Sequence, residues 1–194
     1  MARPPLSRAA VVERARELLR ADGVANVSLR RVARDLGVTA PALYAHVADY
    51  DDLLAAVAEG EFARLRDSFE ALDEDDPLER LRALGRAYVE HARAEPQLHR
   101  LMFRYPPKLA EAGLPVSFGP ATAAFAVALG AVEQAVDAGL LATDDPVIAA
   151  LALWSAAHGV AEVLIMGFDF DDATARALTT AAIDASVDGL RPLR

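Results

Sequence analysis

The sequence predicts an all-α protein: a small N-terminal three-helix unit followed by a larger helical one, about nine helices in total. Three observations carry this. Apolar residues recur three and four positions apart and nowhere alternate over the length of a strand. Ser, Thr and Asp stand where helix starts need caps, and in the second half Pro follows an acid at successive helix starts, as in "EDDPLERL" and "TDDPVIAAL". The 194 residues, 54% hydrophobic and 25% charged with 11 each of Gly and Pro, suit a folded globular chain of two unequal parts, divided here as 1–48 and 49–194.

The first helix, "SRAAVVERARELLRADG", places Val11, Ala15, Leu18 and Leu19 on one face, with Ser7 as cap and Gly23 as stop. The second, "SLRRVARDLG", repeats the pattern with Leu29, Val32, Ala33 and Leu36, between a Ser28 cap and Gly37, which can take the left-handed conformation. A third is expected from Ala40 to Val47, capped by Thr39. Its first turn tolerates Pro41 because an N–H there has no helical partner. Asp49 caps a long fourth helix, and Asp51 and Asp52 favour the positive end of its dipole.

Helix three is too short to stand alone in water, so it must lean on the first two through Leu43 and Val47, four residues apart. Pro41, Ala42, Tyr44, Ala45 and His46 then point mostly outward. Two short helices joined by a Gly-containing turn are the arrangement that lays its second member in a DNA major groove. Taken singly, Tyr44 and His46 also read as surface residues of a small three-helix core.

Beyond the fourth helix, at 49–72, further helices are expected at 77–94, 96–105, 117–138, 146–167 and 171–189, with Asp76 and Asp145 as caps. The stretch "YPPKLAEAGLPVSFGP" is the longest break and reads as a surface loop able to gate a cavity. No internal repeat is present.

The net charge of -9 hides an asymmetry. Residues 1–47 hold eight Arg against four acids, about +4, whereas the remainder holds twelve Lys and Arg against twenty-five acids, about -13. A basic end can meet a polyanion while the acidic body limits nonspecific contact; a chance excess of Arg on a solvated helix face gives the same count.

With no Cys, the chain has no disulfide, no thiolate nucleophile and no Cys-based zinc site. HExxH, a Gly-rich phosphate loop and G-x-S-x-G are also missing, so neither catalysis nor a cofactor is expected. No run approaches the roughly 20 uninterrupted apolar residues of a membrane span, and "MARPPLSRAA" has no apolar core behind its charges. A cytoplasmic protein with no membrane partner is expected.

Residues 7–54, above all "LGVTAPALYAHV", resemble the DNA-binding domain of the TetR family of transcriptional repressors, whose pattern is a capped second helix, "LG" followed by Val and a small cap residue, then "LY-x-H" and an apolar residue. The resemblance implies a dimer that binds a palindromic operator in double-stranded DNA and releases it when a small molecule occupies the C-terminal domain. Another helix-turn-helix protein, an activator or a nucleoid-associated factor without an effector pocket, is the alternative.

Carried over by position, Ser28 and Arg30 open helix two, Thr39 caps helix three, and Pro41, Tyr44 and His46 face the groove and its walls. Arg30 suits guanine or phosphate, Tyr44 and His46 suit phosphate oxygens, and Pro41 with the methyls of Ala40, Ala42 and Ala45 suits thymine methyls. Family members often carry polar side chains where Ala40 and Ala42 stand. Part of the specificity is therefore expected from DNA shape and from an arm carrying Arg3 and Arg8. Tyr50 stands where the family usually has a phosphate-binding Lys. It is either a hydrogen-bond donor to DNA or a packing residue between the two units. The missing cation should flatten the salt dependence by roughly 0.9 in log–log slope.

In the C-terminal part, Phe62, Phe69, Tyr88, His91, Met102, Phe103, Phe125, Trp154 and His158 are the candidate lining of a mainly apolar effector pocket, each also readable as core. His91, His99, His158, Tyr88 and Glu162 are the groups able to orient a ligand there. His158 and Glu162 lie one turn apart, but two ligands without a third make no metal site. The eighth helix is apolar nearly all round, with Val147, Leu151, Trp154, His158, Ala161 and Ile165 in register, so it needs cover on several sides, and a partner subunit is a natural source. The ninth offers Leu178, Ala182 and Ala185. "W-x-x-x-HG" resembles the C-terminal domain of one TetR subgroup and implies a homodimer interface on these two helices, expected at Leu151, Ile165, Leu178, Ala182 and Ala185.

Overall fold

Two apolar cores organise the chain, and one helix serves both. The computed structural model describes residues 5–104 and 119–192. Among the described residues lie nine α-helices and no strand: α1 (Arg8–Asp22), α2 (Leu29–Leu36), α3 (Ala40–Leu43), α4 (Tyr50–Glu70), α5 (Pro77–Ala94), α6 (Pro96–Arg104), α7 (Gly119–Asp137), α8 (Pro146–Ile165) and α9 (Asp172–Asp188). A short 3-10 turn, Val24–Asn26, joins α1 to α2. The expected gating loop and Arg3 fall outside the described residues, except that Gly119 and Pro120 open α7.

The helix starts are set locally. Ser7 accepts from the Ala10 N–H, Ser28 from Arg31, Asp49 from Asp52, Asp76 from Leu78 and Glu79, and Asp145 from Val147 and Ile148. Each cap satisfies N–H groups that have no partner within the helix. Thr39 differs. It occupies the cap position of α3 with extended backbone, yet its side chain makes no capping bond. At the other end of α2, Gly37 adopts φ 63°, and its N–H returns to the Ala33 and Arg34 carbonyls, so the chain reverses within one residue.

The third helix is shorter than expected. It is α-helical only to Leu43; residues 44–46 form tight turns in which the His46 and Val47 N–H groups both reach the Leu43 carbonyl. Asp49, extended, then caps α4. Leu43 and Val47 are nevertheless buried, as the packing argument requires.

The first core gathers Val11, Leu18 and Leu19 of α1, Val32 of α2, Leu43, Val47, the α4 residues Leu53, Leu54 and Val57, and Leu98 and Leu101 of α6. Farther along, α4 turns Phe62, Leu65 and Phe69 into the second core, which α5, α7, α8 and α9 complete. Between the cores sits Glu61, with no exposed surface. It accepts from Arg16 Nε of α1 at 2.6 Å and from Arg64 Nη1 at 3.0 Å, and His91 Nε2 of α5 lies 3.9 Å away.

α8 is apolar over most of its length, as expected. By length and composition it is apolar enough to cross a membrane, with mean hydropathy 1.7 over its best window, of which 33% is buried. Ser155, His158 and Glu162 interrupt the apolar run too sparsely to lower that mean. The helix packs on α5, α7 and α9, and its buried residues other than Ile165 belong to the second core.

Removing one partner of a buried ion pair strands the other, a cost of about 3–5 kcal/mol. Glu61→Ala should lower the unfolding free energy by that amount in denaturant titration followed by helical circular dichroism; a loss below about 1 kcal/mol would remove Glu61 from this role.

Candidate functional site

The outer surface of α2 and α3 presents an open set of polar groups. Arg30 is exposed and pairs with no acid among the described residues. Its neighbours are engaged: Arg31 with Asp22 and the Asn26 carbonyl, Arg34 with Asp35 at 3.2 Å, and Arg14 with Asp35 at 2.8 Å. Arg30 is thus the α2 guanidinium with no acidic partner among the described residues, all its donors open. Tyr44 is 57% exposed, and Thr39 and Pro41 stand open beside it. His46 is half-buried, and Ala40 packs partly against the first core. The Ser28 hydroxyl already accepts from the Arg31 N–H.

Two expected contacts are otherwise engaged. Tyr50 is half-buried against the first core, and its hydroxyl donates to the Val24 carbonyl at 3.1 Å, locking the start of α4 to the 3-10 turn; burial raises its pKa. Arg8, expected in a trailing arm, opens α1 instead. Its guanidinium grips Asp52 at 2.8 and 3.0 Å and donates to the His46 carbonyl at 2.6 Å. The Ala48 N–H also donates to Asp52. This one carboxylate ties the start of α1, the turn after α3 and the start of α4 together. The Arg8 hydrogen bond, followed by that of Ala48, holds its carboxyl at about 2, below the ordinary 3.8.

Within the second core lies a cavity of about 250 Å³, lined almost wholly by apolar side chains of α4, α5, α6, α7 and α8. Six expected residues border it: Phe62, Phe69, Tyr88, Phe103, Phe125 and Trp154. Three do not. Met102 is fully buried core, His91 faces Glu61 at the joint between the cores, and His158 stands behind the wall. Residues not named from sequence also line it, Leu81, Leu84 and Gly85 among them. They share a helix face with Tyr88, and that spacing was the available signal. A Cβ on Gly85 would stand 2.7 Å from Ile183 Cδ1, so glycine there lets α5 and α9 approach closely.

The polar wall behind the cavity is a packed group of rings. His158 Nδ1 and the Tyr88 hydroxyl are 2.8 Å apart, Trp154 stacks on His158 at 5.4 Å, and Phe103 lies 4.6 Å from His158 and 5.1 Å from His99. His99 is 1% exposed, neither ring nitrogen has a hydrogen-bond partner, and its Nε2 is 3.4 Å from Glu162 Oε1. Burial, and then the neighbouring His158, bring His99 down to about 4, so its imidazole is neutral at pH 7. Burial pushes the Tyr88 hydroxyl up. His99, His158 and Glu162 together offer three donor atoms within 4.8 Å of one another; the third, on α6, could not be placed beside the other two from the sequence.

The expected dimer residues divide. Ile165 is buried, Leu151 lines the cavity, and Leu178 and Ala182 pack against the second core; Ala185 alone is exposed. The open row of α8 is Ile148, Ala152, Ser155 and Gly159, with Met166 just past its end, and α9 exposes Ala173, Ala177 and Ala181. A helix apolar on every side gives no periodicity from which to choose its outward face.

Two family models match the chain: "Bacterial regulatory proteins, tetR family" over residues 11–57 and "Tetracyclin repressor-like, C-terminal domain" over residues 81–186. No curated protein matches it. Among solved structures, a protein of unknown function from Rhodococcus sp. RHA1 is 30% identical, with a TM-score of 0.81 and coverage of 98% of this chain and 100% of that one. A TetR variant from Acinetobacter baumannii AYE in complex with minocycline is 21% identical, with a TM-score of 0.71 and coverage of 97% and 100%. SmeT, the repressor of the Stenotrophomonas maltophilia multidrug efflux pump SmeDEF, is 23% identical, with a TM-score of 0.66 and coverage of 96% and 91%. The last two likenesses concern the fold.

Because the folded Asp52 pKa of about 2 lies below the ordinary 3.8, its contribution to stability is full above about pH 4 and fades as pH falls toward 2. The pair is partly exposed, so solvent screening limits it to about 1 kcal/mol. Asp52→Asn should therefore unfold about 1 kcal/mol more easily at pH 7 and match the parent near pH 2, by denaturant melts at the two pH values.

Proposed function

Since the chain belongs to the tetR family of bacterial transcriptional regulators, we propose that it is a ligand-responsive repressor that binds a palindromic operator as a homodimer and lets go when a small, largely apolar molecule enters the cavity. One observation carries the proposal: a single helix, α4, contributes to the core beneath the exposed Arg30 and Tyr44 and also to the wall of the apolar cavity. In this reading residues 1–48 act as the DNA-binding unit and 49–194 as the effector and dimerisation unit, with the first turns of α4 completing the former's core. The run Trp154-x-x-x-His158-Gly159 supports assignment to the subgroup that shares it.

Two copies would meet through the open rows of α8 and α9, where Ala152, Ser155, Gly159, Ala173 and Ala177 allow close helix approach. Twofold symmetry then sets two recognition elements about 34 Å apart, one turn of duplex. Arg30 reads a base or clamps a phosphate, Tyr44 and His46 hold phosphates, and Pro41 with the alanine methyls meets thymine methyls. Tyr50, its hydroxyl already donated to Val24, supports the start of α4. An occupant of the cavity acts by favouring a geometry in which the two reading heads no longer match the operator. The chain needs no catalytic chemistry for this.

Footprinting on the DNA beside the protein's own gene, repeated with candidate small molecules, tests the reading; failure to enrich an inverted repeat from random duplexes would sink it. Arg30→Ala should cost about 1–3 kcal/mol at one base position and relax preference there, whereas His46→Ala should weaken all sequences alike. Equal effects of the two would overturn the assigned roles. Bound operator should weaken effector binding by the factor, about 5–150-fold, by which effector weakens operator binding; titration of each in the presence of the other measures both.

A further inference from the structure

We propose that His99, His158 and Glu162 form a binding site for a divalent transition-metal ion of the zinc type, set behind the aromatic wall of the cavity and linking α6 to α8. The proposal stands on the geometry of this chain and does not depend on the repressor reading.

The strongest observation is the state of His99. It is 1% exposed and both its ring nitrogens are buried without a hydrogen-bond partner, an unfavourable state for polar atoms. Its Nε2 stands 3.4 Å from Glu162 Oε1 without hydrogen-bond geometry. Two donors each about 2.0–2.2 Å from a tetrahedral zinc lie about 3.4 Å from each other, so the spacing is that of two ligands of one ion. His158, one turn before Glu162 on α8, brings the third donor atom within 4.8 Å of the others.

The surroundings fit as well. His158 Nδ1 is 2.8 Å from the Tyr88 hydroxyl, which can accept its proton and leave Nε2 as the free lone pair. A hydrogen-bonded partner on the far nitrogen is the usual way a metal-binding imidazole is oriented. Two imidazoles and one carboxylate suit zinc, cobalt or nickel rather than magnesium or calcium, which prefer all-oxygen shells. Three protein ligands leave a fourth position for water. Glu162 is partly exposed, which provides an entry path. His99 sits between Leu98 and Leu101, two α6 residues of the first core, so an ion here would fasten that helix to α8.

The test uses full-length protein with any purification tag removed, stripped with chelator and titrated with Zn2+ by calorimetry and with Co2+ by absorption. One ion per chain is expected, with the intense visible bands of four-coordinate Co2+. Trp154, the single tryptophan, stacks on His158 and should be quenched in step with Co2+ binding. Glu162→Gln and His99→Asn should each weaken binding at least about tenfold, no less than loss of a second-shell partner does. His91→Asn, at the Glu61 joint, should bind as the parent does. If His99→Asn loses helical circular dichroism, Glu162→Gln decides alone, because its side chain is partly exposed and its loss leaves the core intact. Absence of binding at micromolar free Zn2+, unchanged affinity in Glu162→Gln, or loss of binding in His91→Asn would each overturn the site.

Discussion

A fully buried carboxylate ties the two halves of this molecule together. Glu61 lies where α4 leaves the first core and enters the second, and it meets Arg16 of α1 on one side and faces His91 of α5 on the other. A charge in such a place is tolerable only while its partners stay close. The demand fixes α1, α4 and α5 relative to one another more strictly than apolar packing would, because methyl groups can slide past each other at little cost and a paired guanidinium cannot. The surface proposed to meet DNA and the cavity are therefore held to one helix.

The short third helix follows from the same economy. Between the left-handed Gly37 that stops α2 and the Asp49 cap that starts α4, the chain makes one α-helical turn and then tightens around the Leu43 carbonyl. What it gains is a pair of buried anchors, Leu43 and Val47, and an outward side free of structural duty. Asp52 then stitches the turn after this helix to α1 through Arg8. The surface proposed to meet DNA is thus braced from behind by both charge and packing, while Arg30 and Tyr44 remain free to bind.

What could be read from the residues alone was mostly what is local. The caps at Ser7, Ser28, Asp49, Asp76 and Asp145 announce themselves within three residues of their targets, and the helices they begin start within a residue or two of where expected. Six aromatic and apolar cavity residues could be nominated because few bulky side chains were available. The misses are nonlocal. Nothing in the segment around Tyr44 shows that the helix must tighten before Val47. The position of Arg8 depends on Asp52, which is remote in sequence. The outward face of α8 is invisible when all faces are apolar, and His99 meets His158 and Glu162 only once α6 is laid across α8.

That last helix has a consequence for the life of the chain. Ile148 on α8, and Met166, Phe168 and Phe170 just beyond it, leave the solitary polypeptide with exposed large apolar side chains. If two copies pair through these side chains as proposed, pairing covers them, and the stability of the fold rises with protein concentration. Gene dosage then becomes a folding variable, and thermal tolerance should be quoted together with the titre at which it was recorded.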